Sequence, residues 1–392
     1  MFQPSEHRPT EAIINLSAIQ HNIQVVKGQM QVGQLLYATV KANAYGHGAV
    51  PVAKAALEAG ANGILVATVD EGIALRQAGL AQVPILVLGL TDPRGIAEIL
   101  HYNLTVTVGD ATFFARAYDQ LQATGQLQLL QLYRLRFHLA LDTGMGRIGL
   151  REKDQVAAFT TAVAAYPWAI WEGVFTHFAT AGGGPQGLIQ QQFDKWLDLT
   201  ADLPESVIYK HYANSAMGLW HQRQPASDIV RLGIAMYGMD PKDRPASQLT
   251  SPENQLRPAL SLVSELVYVK KVPAGQPISY GATYVTDQDT WVGTVPIGYA
   301  DGWLRHYQPV DLLVNGLRCP VLGRINMDQL MIALPSDLPV GTQVTLIGQD
   351  GNLVNSAIEI ARQVDTISYE IFCGLSQRVP RIYIQDEEEP LC

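Results

Sequence analysis

"LLYATVKANAYGHGAVPVAKAALEAGANGILVAT" (residues 35–68) contains one strand–helix–strand unit, and the first 250 residues repeat its pattern. An apolar run at 35–41 is followed by an alanine-rich, helix-like stretch and by a second apolar run at 63–68. Eight strand–helix units over about 200 residues predict a (β/α)8 barrel of the TIM type. A doubly wound open sheet is the alternative, but the chain lacks its Gly-rich dinucleotide fingerprint. The other six apolar runs lie at 84–89, 103–108, 133–142, 171–178, 207–214 and 227–233.

The pattern changes after a polar, proline-containing segment at 241–258, beyond which the apolar runs are short and strand-like. We therefore predict an α/β protein in which the barrel, residues 1–250, is followed by a C-terminal strand-rich domain, residues 251–392. The early run AIINL (12–16) is left over once eight barrel strands are counted. It is a candidate to pair with the second domain.

Composition and charge narrow the class of protein. The 392 residues are 47% hydrophobic, which is ordinary for a globular protein, and the net charge of −9 argues against nucleic acid or an anionic membrane as partner. The cysteines Cys319, Cys373 and Cys392 are odd in number and lack metal-ligand spacing, so we expect reduced thiols and no structural metal. The first residues show no apolar targeting segment, and no apolar run approaches a membrane span. We expect a cytoplasmic protein.

Polar residues stand where the predicted barrel strands end. In such barrels chemistry is carried at the C-terminal strand ends, and here these ends present Lys41, Arg147, His177, Ser215 and Arg231. Any one of them alone is ordinarily a surface, paired or core residue. Their convergence at one mouth favours a site.

Lys41 suggests the chemistry, because a desolvated lysine forms imines with carbonyl cofactors such as pyridoxal phosphate. A phosphate needs donors, which barrels commonly supply from the loops after strands 7 and 8. In this chain those loops offer the Ser215 hydroxyl and the backbone of Gly233 and Ile234.

Together these stretches resemble the alanine racemases, which are fold-type III pyridoxal-phosphate enzymes. The resemblance extends from about residue 8 to residue 381 and rests on nine ordered motifs. They are VKANAYGHG, DTGMGRIG, EGVFTHFATA, ANSA, VRLGIAMYG, SYGATY, PIGYADGWLR, GRINMDQ and SYEIFCGLSQRVPR.

The resemblance implies that Lys41 holds pyridoxal 5'-phosphate as an aldimine and that Tyr280, in SYGATY, is the second catalytic residue, supplied by the partner subunit. Racemisation needs one base on each face of the substrate's Cα, and these two residues would serve the two faces. Arg231 would face the pyridine nitrogen, with His177 beside it. Nearby cations would favour ionisation of the tyrosine.

The remaining site residues are also implied by the resemblance. Arg147 and the backbone at Met327 would bind the substrate carboxylate, and Tyr299 with Tyr369 would narrow the entrance. The phosphate would be bound by Tyr45, Ser215, Gly233, Ile234 and Tyr369.

The implied activity is interconversion of L-alanine and D-alanine in a homodimer with shared sites, supplying D-alanine for peptidoglycan. A racemase of broader small-amino-acid specificity, for example for serine, stays open as the alternative. A barrel decarboxylase using the same cofactor should place an acid opposite the ring nitrogen, where this chain has Arg231. A non-catalytic pyridoxal-phosphate carrier would lack the second domain.

Two positions depart from the family pattern. Ala140 stands where many alanine racemases have a carbamylated lysine that braces the arginine matching Arg147, and Asn326 stands where a cysteine often precedes the Met-Asp pair. Alanine cannot be carbamylated. We predict that an anion such as chloride, or a nearby polar side chain, braces Arg147.

Overall fold

The computed structural model describes residues 4–185, 187–221, 223 and 225–385. Strand β1 (Glu11–Asn15) precedes nine parallel strand segments that form one sheet. These segments lie within a few residues of the predicted apolar runs. They are β2 (Leu35–Thr39), β3 (Gly63–Val66), β4 (Ile85–Leu90), β5 (Thr105–Val108), β6 (Leu135–Ala140), β7 (Ala169–Phe175), β8 (Tyr209–His211), β9 (Ala213–Asn214) and β10 (Ile229–Leu232).

The sheet curls into a barrel of eight strands, of which the seventh is divided into the two segments β8 and β9. Neighbours pair in chain order, and the two ends of the sheet, β8 and β9, are consecutive in the chain on either side of Tyr212. The amide of Asp228, next to β10, donates to the carbonyl of Lys210 in β8 at 3.1 Å, so the circle closes there. The predicted (β/α)8 barrel is confirmed.

Helices cover the outside of the barrel, and some of them begin at a capping residue. The α-helices of the first 250 residues are α1 (Leu16–Lys27), α2 (Lys41–Tyr45), which lies at the strand ends, α3 (Ala49–Glu58), α4 (Val69–Gln77), α5 (Ile96–His101), α6 (Thr112–Ala123), α7 (Leu129–Leu132), α8 (Lys153–Val163), α9 (Leu188–Thr200) and α10 (Ser215–Trp220). The C-terminal region adds α11 (Ala357–Gln363) and α12 (Ser368–Gly374). Asn15 caps α1 by accepting from the amide of Ala18, and Thr68 with Glu71 forms a capping box at α4.

The strands bury both faces. Leu36, Ala38 and Ile64 join the large core beneath the helices, whereas Tyr37 and Leu65, on alternate positions, belong to a small separate cluster inside the barrel. Burial on both faces explains why the strands appear in the sequence as continuous apolar runs.

The C-terminal region is rich in strands, as predicted. Its strands are β11 (Leu260–Glu265), β12 (Tyr268–Val272), β13 (Pro277–Ile278), β14 (Tyr284–Val285), β15 (Thr290–Val295), β16 (Leu312–Val314), β17 (Leu317–Cys319), β18 (Leu330–Leu334), β19 (Gln343–Asp350), β20 (Leu353–Asn355) and β21 (Arg381–Ile384). The main sheet has the order β17-β16-β19-β11-β1-β21, and β12, β15 and β18 form a second sheet. Strand β1 pairs antiparallel with β11 and parallel with β21, so the strand that precedes the barrel is built into this region.

Two global features bear on the sequence predictions. Within the described ranges, none of the helices combines the length and apolar character that spanning a bilayer requires. Cys319 and Cys373 are free thiols, and Cys392 lies outside the described residues.

Candidate active site

Lys41 begins a left-handed turn, α2, directly after β2. Ala42, Asn43 and Ala44 have φ of 51°, 53° and 55°, and Tyr45 has φ of 52°. A left-handed turn of L-residues costs roughly 1–2 kcal/mol per residue, so the surroundings must stabilise it. Part of that support comes from Glu71, whose Oε1 accepts the amide of Ala42 at 2.7 Å. The alanine-rich sequence after Lys41 did not indicate a left-handed turn.

The C-terminal region holds the other side of this turn. Arg381 donates from Nε to the carbonyl of Gly46 at 2.9 Å. A Cβ at Gly46 would collide with the carbonyl of Phe372, and one at Gly48 would collide with the Tyr383 hydroxyl. Both glycines are therefore needed for close approach, which explains the Gly-His-Gly sequence.

A pocket of about 550 Å³ opens at the C-terminal ends of the barrel strands. Nine of the predicted site residues line it together, and the lining contains no aspartate or glutamate among the residues described. The nine are Lys41, Tyr45, Arg147, His177, Ser215, Arg231, Gly233, Ile234 and Tyr369.

Three cationic side chains, Lys41, Arg147 and Arg231, share this pocket. Burial lowers the pKa of the Lys41 ammonium, and the nearby Arg147 lowers it further. Burial also lowers the pKa of the Arg231 guanidinium, which is still cationic at neutral pH. A pocket with three cations and no lining acid is suited to an anionic ligand with more than one negative group.

Hydroxyl and backbone donors converge at one end of the pocket. The Gly233 amide donates to Ser215 Oγ at 2.9 Å, and a Cβ at Gly233 would lie 3.0 Å from Tyr45 Oη. Burial raises the pKa of both Tyr45 and Tyr369, whose rings lie 5.8 Å apart, so both hydroxyls keep their protons and can donate. With the Ile234 backbone, this end can receive a phosphate.

Arg231 is fixed by partners on several sides. Nη1 donates to His211 Nδ1 at 2.9 Å, and Nη2 donates to the Thr176 carbonyl at 2.7 Å and to His177 Nδ1 at 3.3 Å. Burial and the charge of Arg231 lower the pKa of His177 to about 3, so its ring is neutral and accepts. The sequence reasoning missed His211, although strand alternation in VIYKHYAN could have indicated an inward-facing histidine.

Tyr280 and Met327 do not line the pocket of their own chain. They are 73% and 52% exposed and lie in an exposed cluster that also contains Tyr299 and Asn326. Ser279 Oγ lies 3.1 Å from Asn326 Oδ1, and the Tyr299 amide donates to the Asn326 carbonyl at 3.1 Å. The structure thus gathers the predicted site residues into two groups within one chain.

Arg147 projects from a tight turn after β6. Asp142 Oδ1 accepts the amides of Gly144 and Gly146 at 3.0 and 2.9 Å, and these bonds shape the turn. Arg147 makes no hydrogen bond or ion pair with the side chains that the structure describes, and Ala140 is buried. The polar side chain predicted to brace Arg147 is therefore not found among them, and the anion stays a prediction.

Comparison with known proteins agrees with this geometry. Residues 14–241 match the family model described as "Alanine racemase, N-terminal domain", and residues 259–383 match "Alanine racemase, C-terminal domain". The alanine racemase of Ligilactobacillus salivarius is 47% identical over 378 residues, covering 96% of this chain and 98% of that one. That of Lactiplantibacillus plantarum is 45% identical, covering 97% and 98%.

Solved structures give the same result. The crystal structure of alanine racemase from E. faecalis superimposes with a TM-score of 0.91 at 44% identity, covering 97% of this chain and 100% of that one. The Bacillus anthracis alanine racemase with bound L-Ala-P has a TM-score of 0.88 at 40% identity, covering 96% and 95%. A histidine racemase from Leuconostoc mesenteroides is more distant, at 32% identity, a TM-score of 0.88 and coverage of 97% and 99%. This chain belongs to the alanine racemase family.

Proposed function

We propose that this chain interconverts L-alanine and D-alanine with pyridoxal 5'-phosphate, in a homodimer whose two chains complete each other's sites. The observation that carries the proposal is the pocket in which Lys41, with a lowered pKa, faces Arg231 and the hydroxyl and backbone donors around Gly233. A cytoplasmic location and a role in supplying D-alanine for peptidoglycan belong to the same proposal.

The residues present fit this cofactor. A phosphorylated pyridine aldehyde requires an amine for the aldehyde, donors for the phosphate and a partner for the ring nitrogen. Lys41 offers the amine, and Gly233 leaves room for an anion because it has no side chain beside Tyr45 Oη and Ser215 Oγ. When bound, the cofactor withdraws electrons from the substrate's Cα and makes its proton acidic.

Arg231 selects among the reactions that this cofactor permits. Guanidinium has no acceptor lone pair, so Arg231 would only donate to a ring nitrogen placed against it and would leave that nitrogen unprotonated. Arg231 would thereby weaken the electron withdrawal that the cofactor supplies, which suits simple proton transfer and disfavours decarboxylation. His177 stays neutral beside it and adds no charge.

Lys41 and Tyr280 are the two proposed bases. The lowered pKa of Lys41 increases the fraction of neutral amine that can take a proton at one face of Cα. Tyr280 would act at the opposite face, and its 73% exposure outside its own pocket supports delivery from a partner copy. Arg147 and the Met327 backbone would orient the substrate carboxylate.

Mixing two inactive variants tests the shared site. K41A should lose the absorbance of lysine-bound cofactor and nearly all racemisation, and Y280F should lose racemisation but keep the absorbance. In a mixed dimer one site has both residues intact and the other has neither. Random mixing of the two variants should restore about a quarter of the wild-type sites, because half the dimers are mixed.

Y284F is the matched control, since Tyr284 is the other tyrosine of the same SYGATY segment. Its ring packs against the small cluster of Ile278, Val292 and Leu322, whereas that of Tyr280 is exposed. It should retain activity alone. Absence of recovery in verified K41A–Y280F heterodimers would contradict a site shared between chains, and full activity of K41A would contradict the role of Lys41.

A further inference from the structure

A row of polar side chains leads from Arg231 back through the barrel. Arg231 Nη1 lies 2.9 Å from His211 Nδ1, and His211 Nε2 lies 2.8 Å from His138 Nδ1. His138 Nε2 then faces Glu172 Oε2 at 3.7 Å, and Glu172 Oε1 pairs with Arg136 at 2.9 Å. Both histidines are fully buried, and the Glu172 side chain is 16% exposed. Neither histidine touches the pocket.

Donor and acceptor rules assign every proton in this row. Guanidinium can only donate, so His211 Nδ1 must accept and the proton of that ring is on Nε2. That proton is donated to His138 Nδ1, which places the proton of His138 on Nε2, pointing at Glu172. Burial lowers the pKa of both rings, in agreement with two neutral imidazoles. All N–H groups of the row therefore point the same way, from Arg231, which can only donate, towards Glu172, which can only accept.

An irregularity in strand β7 makes room for this row of side chains. Strand β7 has an extra residue opposite the step from Phe137 to His138, because Phe137 pairs with Trp171 while His138 pairs with Gly173. The His138 ring lies over Gly173, where a Cβ would come within 2.8 Å of Cε1. The same irregularity directs Glu172 towards His138.

The charges at the two ends of the row indicate what it does. Within the described chain no carboxylate forms an ion pair with Arg231, although this guanidinium is buried. Burial acts to raise the pKa of the Glu172 carboxyl, but His138 and Arg136, which face it, hold that pKa below its usual value, so the carboxylate is ionised. The carboxylate lies 3.7 Å from His138 Nε2, beyond hydrogen-bonding distance, so it acts on that ring through its charge. A negative charge beyond the end of a hydrogen-bonded row polarises each bond in the row, so Glu172 acts on Arg231 through two rings.

We infer that Glu172 is a positioning residue for Arg231, acting through His138 and His211 to fix the guanidinium against the cofactor ring. This inference rests on the proposed role of Arg231. The competing explanation is a barrel ion pair between Glu172 and Arg136 that contributes only to stability. The two explanations predict different responses of the two imidazole rings. If Glu172 acts through the row, the rings respond to the loss of Glu172 but not to the loss of Arg136. If the ion pair contributes only to stability, they respond to neither loss or equally to both.

The test compares wild type, E172Q and R136Q, first as apoproteins labelled with 15N at histidine. In wild type both rings should be neutral with the proton on Nε2, and both protons should exchange slowly with water. The His211 proton, in the 2.8 Å hydrogen bond, should resonate far downfield. E172Q should move both resonances upfield and speed their exchange with water, whereas R136Q should leave them in place. Because no cofactor is present, this result does not depend on the proposed activity.

Kinetics supply the second readout. E172Q should lower kcat for alanine about tenfold, as loss of an outer partner of a site residue commonly does, and leave KM within about twofold. The kcat of E172D, which keeps the charge, should lie between those of wild type and E172Q. If E172Q does not fold, E172D replaces it in both measurements. Unchanged imidazole resonances in the variant, or equal shifts in R136Q, would overturn the inference. If the imidazole resonances respond as expected but the protein has no racemase activity, the proposed function is wrong and the inference about Glu172 and the two rings still stands.

Discussion

Acid should destabilise this protein through its buried neutral histidines, and His47 offers the cleanest test. Its ring is fully buried against Tyr237 and Phe372, and Nδ1 donates to the Tyr45 carbonyl at 2.9 Å. Burial lowers its pKa to about 4, and Nε2 has no hydrogen-bond partner among the described residues. An unfolded histidine titrates near pKa ~6.5.

The direction in which stability changes with pH follows from proton uptake. Between pH 6.5 and 4 the unfolded chain binds this proton and the folded chain does not, so falling pH favours unfolding. The stability contributed by neutral His47 is present above pH 6.5 and is lost as pH falls. From pH 7 to 4.5 the loss amounts to about 2 kcal/mol for this residue. His177, with a pKa of about 3, adds a similar amount, and His138 and His211 act in the same direction.

The assay is denaturant unfolding of the apoprotein at fixed protein concentration and ionic strength, comparing wild type with H47N across this pH range. Asparagine keeps a donor for the Tyr45 carbonyl and cannot titrate. H47N will be less stable at pH 7 because it leaves a cavity, but the difference from wild type should shrink by about 2 kcal/mol at pH 4.5. Parallel stability curves for the two proteins would refute the reasoning.

Two further predictions concern the site. G173A should place a methyl group against the His138 ring, destabilise the fold by about 1–3 kcal/mol in denaturant unfolding and reduce kcat. G95A is its control and should change neither, because a Cβ at Gly95 meets nothing within 4 Å. Chloride added at constant ionic strength should lower the KM for alanine about fivefold by bracing Arg147, and A140K with bicarbonate should reduce that response. A KM independent of chloride would contradict the anion.

The strands of the barrel were predictable because they are buried on both faces. Such strands are apolar at most positions, so LLYAT and GILV differ clearly from the segments around them. The site followed from topology, since the C-terminal ends of parallel strands meet at one mouth and polar residues there must converge. Lys41 and Arg231 could be assigned to one pocket on that ground alone.

Other parts of the site depend on contacts that no local pattern encodes. The left-handed turn after Lys41 consists of small residues that allow many conformations, and its shape depends on Glu71 and on packing against Phe372. His138 and His211 lie within apolar runs, where a histidine is expected to be an ordinary core residue. Their connection requires the irregularity at Gly173, which depends on the pairing of two strands. Tyr280 is an exposed turn residue in its own chain, and only the family resemblance assigns it a role.

The C-terminal region serves the barrel in two distinct ways, and this argues against a barrel that carries the cofactor alone. On one side, Arg381 and Phe372 contact the backbone at Gly46, and Tyr369 lines the pocket of the same chain. Without these contacts the left-handed turn would lose the packing that offsets its strain, and Lys41 would not be held in place. On the other side, we propose that the exposed cluster with Tyr280 completes the pocket of a second chain. A barrel isolated from this region would therefore lack a proposed base and also the support of its own lysine.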